Sequence, residues 1–233
     1  MCFHNSMSKK AKELAARYGR QLNVVEIADK IIQEQYHVSA FNNPEYPIIT
    51  ADPELQVYNW GLIPFWVKND NDAAQIRTKT YNARAESIFQ KPSFRPYIRT
   101  QRCIVPSTGW FDWRHEAGKK IPYFIYVKNE PIFSMAGIYA DWKDPQNGRT
   151  LYTFSIITTQ ANPLMAYIHN TNFRMPVLIH KEEEEKWLYP ELKEEEITAF
   201  LQPFDESLMD AYIISNDFLK KNPQDPSIIE RKI

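Results

Sequence analysis

Cys2 is the first residue whose type and position suggest chemistry. Methionine aminopeptidases accept a small second residue, so removal of Met1 would leave the Cys2 amine and thiol as a free 1,2-aminothiol. The reference pKa is about 7.7 to 8.0 for an α-amine and about 8.5 for a thiol, so both groups are partly nucleophilic near neutral pH. With an aldehyde, the amine forms a Schiff base and the thiol can close a thiazolidine ring. On position alone, an inert and buried Cys2 is the commoner case.

Two stretches have residues that could contact a nucleic acid. Residues 60–66 contain Trp60 and Trp66 around a Pro, a grouping that could stack against bases, although core packing would also account for it. Residues 81–87 offer the amide of Asn82, the guanidinium of Arg84 and the carboxylate of Glu86. A capped helix start with an early acidic residue is the alternative for this second stretch.

Two further stretches could transfer protons. Asp112 stands between aromatic residues in a predicted strand, where it would either face solvent or line a pocket with a raised pKa. His169 and Arg174 lie on either side of a polar loop that leads into another predicted strand. Cys103, at the start of an apolar strand, is better explained as a small core residue.

The elements that must position these residues are mostly strands. Residues 8–18 predict a short amphipathic helix with Ser8 as its N-cap and Gly19 as its end, and residues 181–201 predict two surface helices around Trp187 and Leu188. Short segments rich in Val, Ile, Tyr and Phe fill the region between. We predict an α+β fold: one β-rich domain over residues 1–233 with a curled, barrel-like antiparallel sheet and peripheral helices. The predicted strands are 47–50, 56–62, 103–106, 109–114, 123–127, 132–139, 152–158, 175–179 and 211–214.

Charge is segregated along the chain. The net charge of -1 argues against a generic nucleic-acid binder, because phosphate binding usually requires an excess of Lys and Arg. Residues 76–103, however, hold seven basic residues against Glu86 alone, whereas residues 181–206 are strongly acidic. Each run could simply be solvated surface, which is the expected state of the acidic one. The basic residues are Arg77, Lys79, Arg84, Lys91, Arg95, Arg99 and Arg102.

The composition narrows the class of protein. A chain of 233 residues with 43% hydrophobic and 24% charged residues is that of a globular protein. No apolar run approaches the roughly 20 residues needed to span a bilayer, and the first residues lack the apolar core of a secretory signal. We therefore expect no membrane partner and a cytoplasmic location. Two cysteines fit a reducing compartment.

Taken in order, these motifs resemble the SRAP family, the SOS-response-associated peptidase or abasic-site processing proteins. The resemblance covers most of the chain and rests on Met1-Cys2, the motif WGLIP followed by Trp66, NARAE at 82–86, RCIVP at 102–106 with GWFDW at 109–113, and His169 with RMPV at 174–177. It implies a β-rich SRAP fold that binds single-stranded DNA and crosslinks itself to abasic sites through the N-terminal cysteine. It implies no cofactor and no metal.

The resemblance also implies roles for individual residues. Cys2 would be the nucleophile, Asn82 would orient it or the opened sugar, and His169 would transfer protons. Asp112 occupies a position where the family usually has Glu, one methylene longer. The DNA would be held at its phosphates by two arginines and at its bases by two tryptophans, namely Arg84, Arg174, Trp60 and Trp66. His169 precedes Arg174 by five positions, whereas in many members the separation is two.

Three functions fit this pattern. The leading one is a monomeric protein that forms a thiazolidine with the ring-opened sugar of an abasic site in single-stranded DNA, with lyase-type and peptidase activities in addition. The second is an N-terminal-nucleophile amidohydrolase in which the Cys2 thiolate attacks an amide and its own amine is the base. The third is a non-catalytic single-strand binding module whose affinity falls with salt and does not depend on Cys2.

Overall fold

The structure is a computed structural model that describes residues 2–22 and 33–232. It is an α+β fold rich in strands, as predicted. The strands are His4–Met7 (β1), Gln35–Ser39 (β2), Glu45–Ile48 (β3), Gln56–Trp60 (β4), Asn82–Arg84 (β5), Arg102–Ser107 (β6), Gly109–Glu116 (β7), Lys119–Val127 (β8), Phe133–Lys143 (β9), Thr150–Gln160 (β10), Arg174–Pro176 (β11), Leu178–Ile179 (β12) and Met209–Ile213 (β13). The α-helices are Ala11–Tyr18 (α1), Asp70–Arg77 (α2), Arg95–Thr100 (α3), Pro163–Ile168 (α4), Glu184–Leu188 (α5) and Glu194–Phe200 (α6).

The strands form two sheets. The smaller sheet is antiparallel throughout and has the order β13-β8-β7-β1-β2, so β1 is an inner strand. The larger sheet has the order β12-β9-β10-β4-β3, with β5 and β11 also paired to β10 and β6 paired to β9. Ile49 and Ile104 exchange two backbone hydrogen bonds, which brings the end of β3 onto β6. The larger sheet therefore curls back toward itself, although β4 and β5 run parallel to β10.

The described residues form one large hydrophobic core and two smaller clusters. The large core holds most of the buried residues. Its bulky members include Trp60, Trp110 and Trp187, all fully buried. Each of two indole N–H groups donates to a backbone carbonyl, that of Trp60 to Tyr81 and that of Trp187 to Cys103. Cys103 is buried in this core, as its apolar strand predicted.

The first helix begins later than the sequence indicated. Residue 10 rather than Ser8 occupies the N-cap position of α1, and the Ser8 hydroxyl instead bonds the Thr108 hydroxyl. The predicted end is confirmed, since Gly19 adopts a left-handed backbone with φ of 60° and its N–H bonds the Ala15 carbonyl. Leu14 and Tyr18 are buried on one face of α1, as expected of an amphipathic helix.

The acidic run is not uniformly solvated surface, and that expectation was wrong for Glu184. Its carboxylate accepts two hydrogen bonds from the Arg17 guanidinium, at 2.9 and 2.7 Å, and one from the Ser134 hydroxyl at 2.6 Å. Only 9% of the Glu184 side chain is exposed, against 77% for its neighbour Glu185. The buried pair ties α1 to α5 across the edge of the larger sheet.

No helix in the described part of the chain is long and apolar enough to cross a membrane.

Replacement of Glu184 by Ala should destabilise the protein strongly. The substitution leaves the Arg17 guanidinium buried without its partner, which costs about 3 kcal/mol of the free energy of unfolding. Glu182→Ala, the matched control in the same acidic run, removes an exposed carboxylate that makes no ion pair with any described residue, and it should cost at most about 0.5 kcal/mol. Chemical denaturation of the two variants measures the difference. Equal losses would show that the Arg17 pair does not stabilise the fold.

Candidate functional site

Cys2 lies inside the protein, with 1% of its surface exposed. It lies two positions before the start of β1, which is held between β2 and β7. Burial raises the pKa of the Cys2 thiol to about 12, so at neutral pH the sulfur is protonated in this state of the chain. The thiol therefore needs either a change in its surroundings or a reaction that begins at another atom.

Asn82 holds Cys2 in place. The Asn82 side-chain N–H donates to the Cys2 carbonyl at 2.9 Å, across 80 positions of sequence. Residues 82–84 form β5 rather than a helix start, and pairing with β10 aims Asn82 at the amino-terminal segment. The Asn82 side-chain oxygen is buried and makes no hydrogen bond with any described residue. A buried acceptor without a partner is costly, and a bound ligand could supply the missing donor.

Asp112 lines a cleft and is buried, with 7% of its surface exposed. One of its carboxylate oxygens accepts from the Trp113 backbone N–H at 2.9 Å. Burial raises the pKa of Asp112 above its usual range. Of the two possibilities left by the sequence, the pocket with a raised pKa is the one observed.

His169 faces Asp112 in spite of its unusual spacing from Arg174. Its Nδ1 lies 3.7 Å from an Asp112 carboxylate oxygen and 3.0 Å from the Arg174 carbonyl oxygen. Helix α4 ends at His169, and the turn that follows places Phe173 in the left-handed region with φ of 52°. Burial lowers the pKa of His169, although the Asp112 carboxylate acts in the opposite direction.

The cleft that Asp112 and His169 line has a volume of about 440 Å³. Among the other polar or aromatic side chains that line it are His4, Trp113, His115 and Lys120. Phe3 and His4, the two residues that follow Cys2, line the same cleft. The cleft therefore joins an acid and a base with the start of the chain, which is the arrangement that proton-assisted attack on a carbonyl requires.

The structure corrects the role expected of Arg174. Its guanidinium binds both carboxylate oxygens of Glu86 and also donates to the Thr158 carbonyl at 2.6 Å. Burial acts to raise the pKa of Glu86, but the bonds from Arg174 outweigh it and leave the pKa below its usual range. With 7% of its surface exposed and its charge paired, Arg174 braces β5 against β11 and is not open to a phosphate.

The residues of the basic run have different environments. Arg99 pairs with Glu194 at 2.9 Å, and the Arg77 guanidinium donates to the Trp60 carbonyl. Arg102 is buried and its guanidinium donates to backbone carbonyls of α3 and α5, so it is structural. The exposed cations without an ion pair to any described residue are Lys79, Arg84, Lys91 and Arg95. Arg84 remains open to an anion, next to Asn82 on the same short strand.

The two tryptophans expected to contact DNA have different environments. Trp60 is fully buried and stacks on Phe154 with ring centroids 5.8 Å apart, so base stacking by Trp60 was a wrong expectation. Trp66 is 44% exposed and its neighbour Phe65 is 70% exposed. The segment is nevertheless anchored, because the Phe65 N–H donates to the Tyr97 hydroxyl at 2.8 Å. Phe65 and Trp66 together form an exposed aromatic edge.

Comparison with known families then identifies the chain. The family profile described as SOS response associated peptidase (SRAP) matches residues 1–220. The chain belongs to the SRAP family. Abasic site processing protein YoqW of Bacillus subtilis strain 168 is 37% identical over 210 residues, which cover 87% of this chain and 90% of that protein. Abasic site processing protein HMCES of Gallus gallus is 34% identical over 175 residues, covering 66% of this chain and 51% of that protein.

Solved structures confirm the SRAP fold. A protein from Bacteroides thetaiotaomicron superimposes with a TM-score of 0.98 at 62% identity, with all of both chains covered. A protein from Bordetella bronchiseptica has a TM-score of 0.77 at 19% identity, covering 92% of this chain and all of that one, and it shares the fold alone. The resemblance inferred from the sequence motifs is therefore confirmed.

Four residues at or around the cleft were not predicted from the sequence as site residues. Glu86 stands in a recognised motif, but only the structure shows that it neutralises Arg174. His115 and Lys120 reach the cleft because β7 and β8 form a hairpin that pairs these two residues. His4 carried a signal, since it lies two positions after Cys2. Within residues 2–22 and 33–232, no group of three or more His, Cys, Asp or Glu side chains could hold a metal ion.

Asp112→Asn should stabilise the SRAP protein increasingly as the pH rises. Burial raises the pKa of Asp112 in the folded protein. The folded protein therefore retains a proton that the unfolded chain releases above about pH 3.9. The free energy of unfolding falls as the pH rises through the folded-state pKa. Asn carries no charge and escapes this loss. Denaturant midpoints measured from about pH 4 to about pH 8 should separate in favour of the variant.

Asp70→Asn is the matched control, since 57% of the Asp70 side chain is exposed. Its difference from the unmodified protein should stay nearly constant over the same range of pH. A constant or shrinking gap for Asp112→Asn would contradict the raised pKa.

Proposed function

We propose that this SRAP protein processes abasic sites in single-stranded DNA by bonding covalently to them through Cys2. The observation that carries the proposal is the placement of residue 2: Asn82 holds its carbonyl at 2.9 Å, beside a cleft that contains Asp112 and His169. The relatives named above are abasic site processing proteins, which supports the same substrate.

The reaction begins at the amine rather than the thiol. After Met1 is removed, the Cys2 amine attacks the C1′ aldehyde of the ring-opened deoxyribose, and the aldehyde oxygen leaves as water to give an imine. The thiol then adds across the C=N bond, its sulfur to carbon and its proton to nitrogen. One water is released in total and no electron acceptor is needed. A thiol whose pKa burial has raised suits this order, because it reacts second and supplies its own proton.

Asp112 and His169 are proposed to move the protons. Opening of the sugar ring and loss of water from the first adduct both need an acid and a base. Burial raises the pKa of Asp112 and lowers that of His169, so the protonated carboxyl and the neutral imidazole are both favoured, and Asp112 can act as the acid and His169 as the base. Asp112 is one methylene shorter than Glu, but its burial keeps it at the cleft wall.

The DNA is proposed to lie along the exposed cations and aromatic rings. Arg84 would bind the phosphate next to the lesion through charge-assisted hydrogen bonds, with Lys79, Lys91 and Arg95 extending the positive surface. Phe65 and Trp66 offer faces on which bases of a single strand can stack. Because Arg174 is already paired with Glu86, we assign it to holding the site rather than the DNA.

We also propose that residues 1–233 form a single SRAP domain. The profile match runs to residue 220, and β13 pairs with β8 in the sheet that contains β1. A backbone bridge between Ile214 and Arg231 ties the last described residues to the same unit.

The processed protein should form a denaturant-resistant adduct with a single-stranded oligonucleotide that carries one abasic site. Adduct formation is followed as a slower-migrating band in a denaturing gel, with intact mass confirming that Met1 has been removed. Cys2→Ala should abolish the band because both the thiol and the ring closure are lost. An undamaged oligonucleotide should give no band.

Cys103→Ala is the matched control, since Cys103 is the other free thiol and lies in the core. It should crosslink at the normal rate. A band that survives Cys2→Ala would overturn the proposal. Salt-sensitive binding of DNA without any band would instead identify a single-strand binding module.

A further inference from the structure

β1 carries a further imidazole into the cleft, two residues after Cys2. His4 lines the same cavity as Asp112 and His169 and is 9% exposed. A residue two positions from the nucleophile therefore presents its side chain to the cleft beside Asp112 and His169.

His37 on β2 holds the His4 ring. His4 Nδ1 lies 2.8 Å from His37 Nε2, and the two rings are stacked with centroids 5.1 Å apart. Trp113 and Phe41 pack edge-on against His4, at 5.0 and 5.7 Å between centroids. These contacts on three sides fix the orientation of the His4 ring. Without them, a side chain so near a chain end would be poorly ordered.

One polar atom of His4 is open. No described residue bonds its Nε2, and that nitrogen is not among the fully buried polar atoms that lack a partner. Since Nδ1 is occupied by His37 and the ring lines the cavity, Nε2 is the atom that a ligand in the cleft can reach.

The histidine pair is uncharged and shares one proton. Burial lowers the pKa of His4 to about 3 and that of His37 to about 4, so neither ring is a cation at neutral pH. When His4 donates to His37 through Nδ1, its Nε2 is an acceptor; when His37 donates instead, Nε2 carries the hydrogen and becomes a donor. The pair can therefore offer either function to the cleft.

We propose that His4 Nε2 hydrogen-bonds the hydroxyl group that deoxyribose gains when its ring opens, and so selects an opened sugar over a simple aldehyde. The inference rests on the proposed function of Cys2 and adds a substrate-contacting residue to it. Ring opening turns the ring oxygen into a hydroxyl, which both donates and accepts. A neutral imidazole pair with a movable proton matches that group, whereas a fixed cation would offer donors only.

Substitutions at His4 can separate its two nitrogens. His4→Asn keeps a polar atom near the Nδ1 position for His37 but removes the one at Nε2, whereas His4→Gln keeps a polar atom near Nε2. His4→Phe retains the ring packing and removes both. The rate of adduct formation on abasic DNA should fall about tenfold for His4→Asn and His4→Phe, the loss expected for one hydrogen bond. For His4→Gln it should fall by at most about threefold.

A second oligonucleotide makes the test specific. It carries, at the lesion position, an acyclic linker with the aldehyde but without the neighbouring hydroxyl. On this DNA the unmodified protein and all three variants should react at equal rates. His180→Phe is the control for loss of an imidazole, because the His180 ring packs on Phe204 away from the cleft, and it should change neither rate.

Each outcome has a separate meaning. Unchanged rates for Asn and Phe on abasic DNA would overturn the inference, and so would equal slowing on both DNAs, which would assign His4 to holding Cys2. Thermal unfolding identifies any variant that fails to fold, and the remaining two still decide between these results. If the unmodified protein reacts with neither DNA, the proposed function itself fails.

Discussion

The hydrogen bond from Asn82 to the Cys2 carbonyl is the contact on which the site depends. The ends of protein chains usually fray, yet a nucleophile at the second position must be held as firmly as one in a core. Burial of β1 between β2 and β7 supplies the framework, and Asn82 supplies a side-chain hydrogen bond that fixes residue 2 itself. Asn82 in turn depends on β5, which the Glu86–Arg174 pair braces against β11. The ion pair thus contributes to the site without touching its cleft.

Burial has opposite effects on the acid and the base. It favours the neutral form of each group, which raises the pKa of Asp112 and lowers that of His169. Burial of Asp112 lowers the stability of the fold as the pH rises. The same burial keeps on the carboxyl the proton that it can donate. Burial likewise keeps the Cys2 thiol protonated. Because the thiolate is the reactive form, a thiol that stays protonated until the imine has formed is protected from other electrophiles. The amine, which Met1 removal exposes, is then the group that starts the reaction.

The sequence predicted the strands of the larger sheet except β5, and it predicted β7, β8 and β13 of the smaller sheet, because these strands are local patterns of residue type. It could not predict which of Trp60 and Trp66 is buried, because both lie in one motif. Burial of Trp60 depends on its packing against Phe154, and exposure of Trp66 depends on the anchor of its segment at Tyr97. Arg174 was misassigned for a related reason: a guanidinium near a predicted DNA site suggests a phosphate contact until its carboxylate partner is known. β1 and β2, which place His4 on His37, went unpredicted because long-range pairing forms them.

The central claim is that residue 2 bonds the sugar through both nitrogen and sulfur. Tryptic digestion of the adduct and mass analysis of the amino-terminal peptide test it most directly. The account predicts a peptide of residues 2–9 that lacks Met1, carries the sugar with the loss of one water, and keeps its mass after borohydride treatment, because a closed thiazolidine has no imine to reduce. A sugar attached to any other peptide, or an adduct that borohydride reduces, would contradict it.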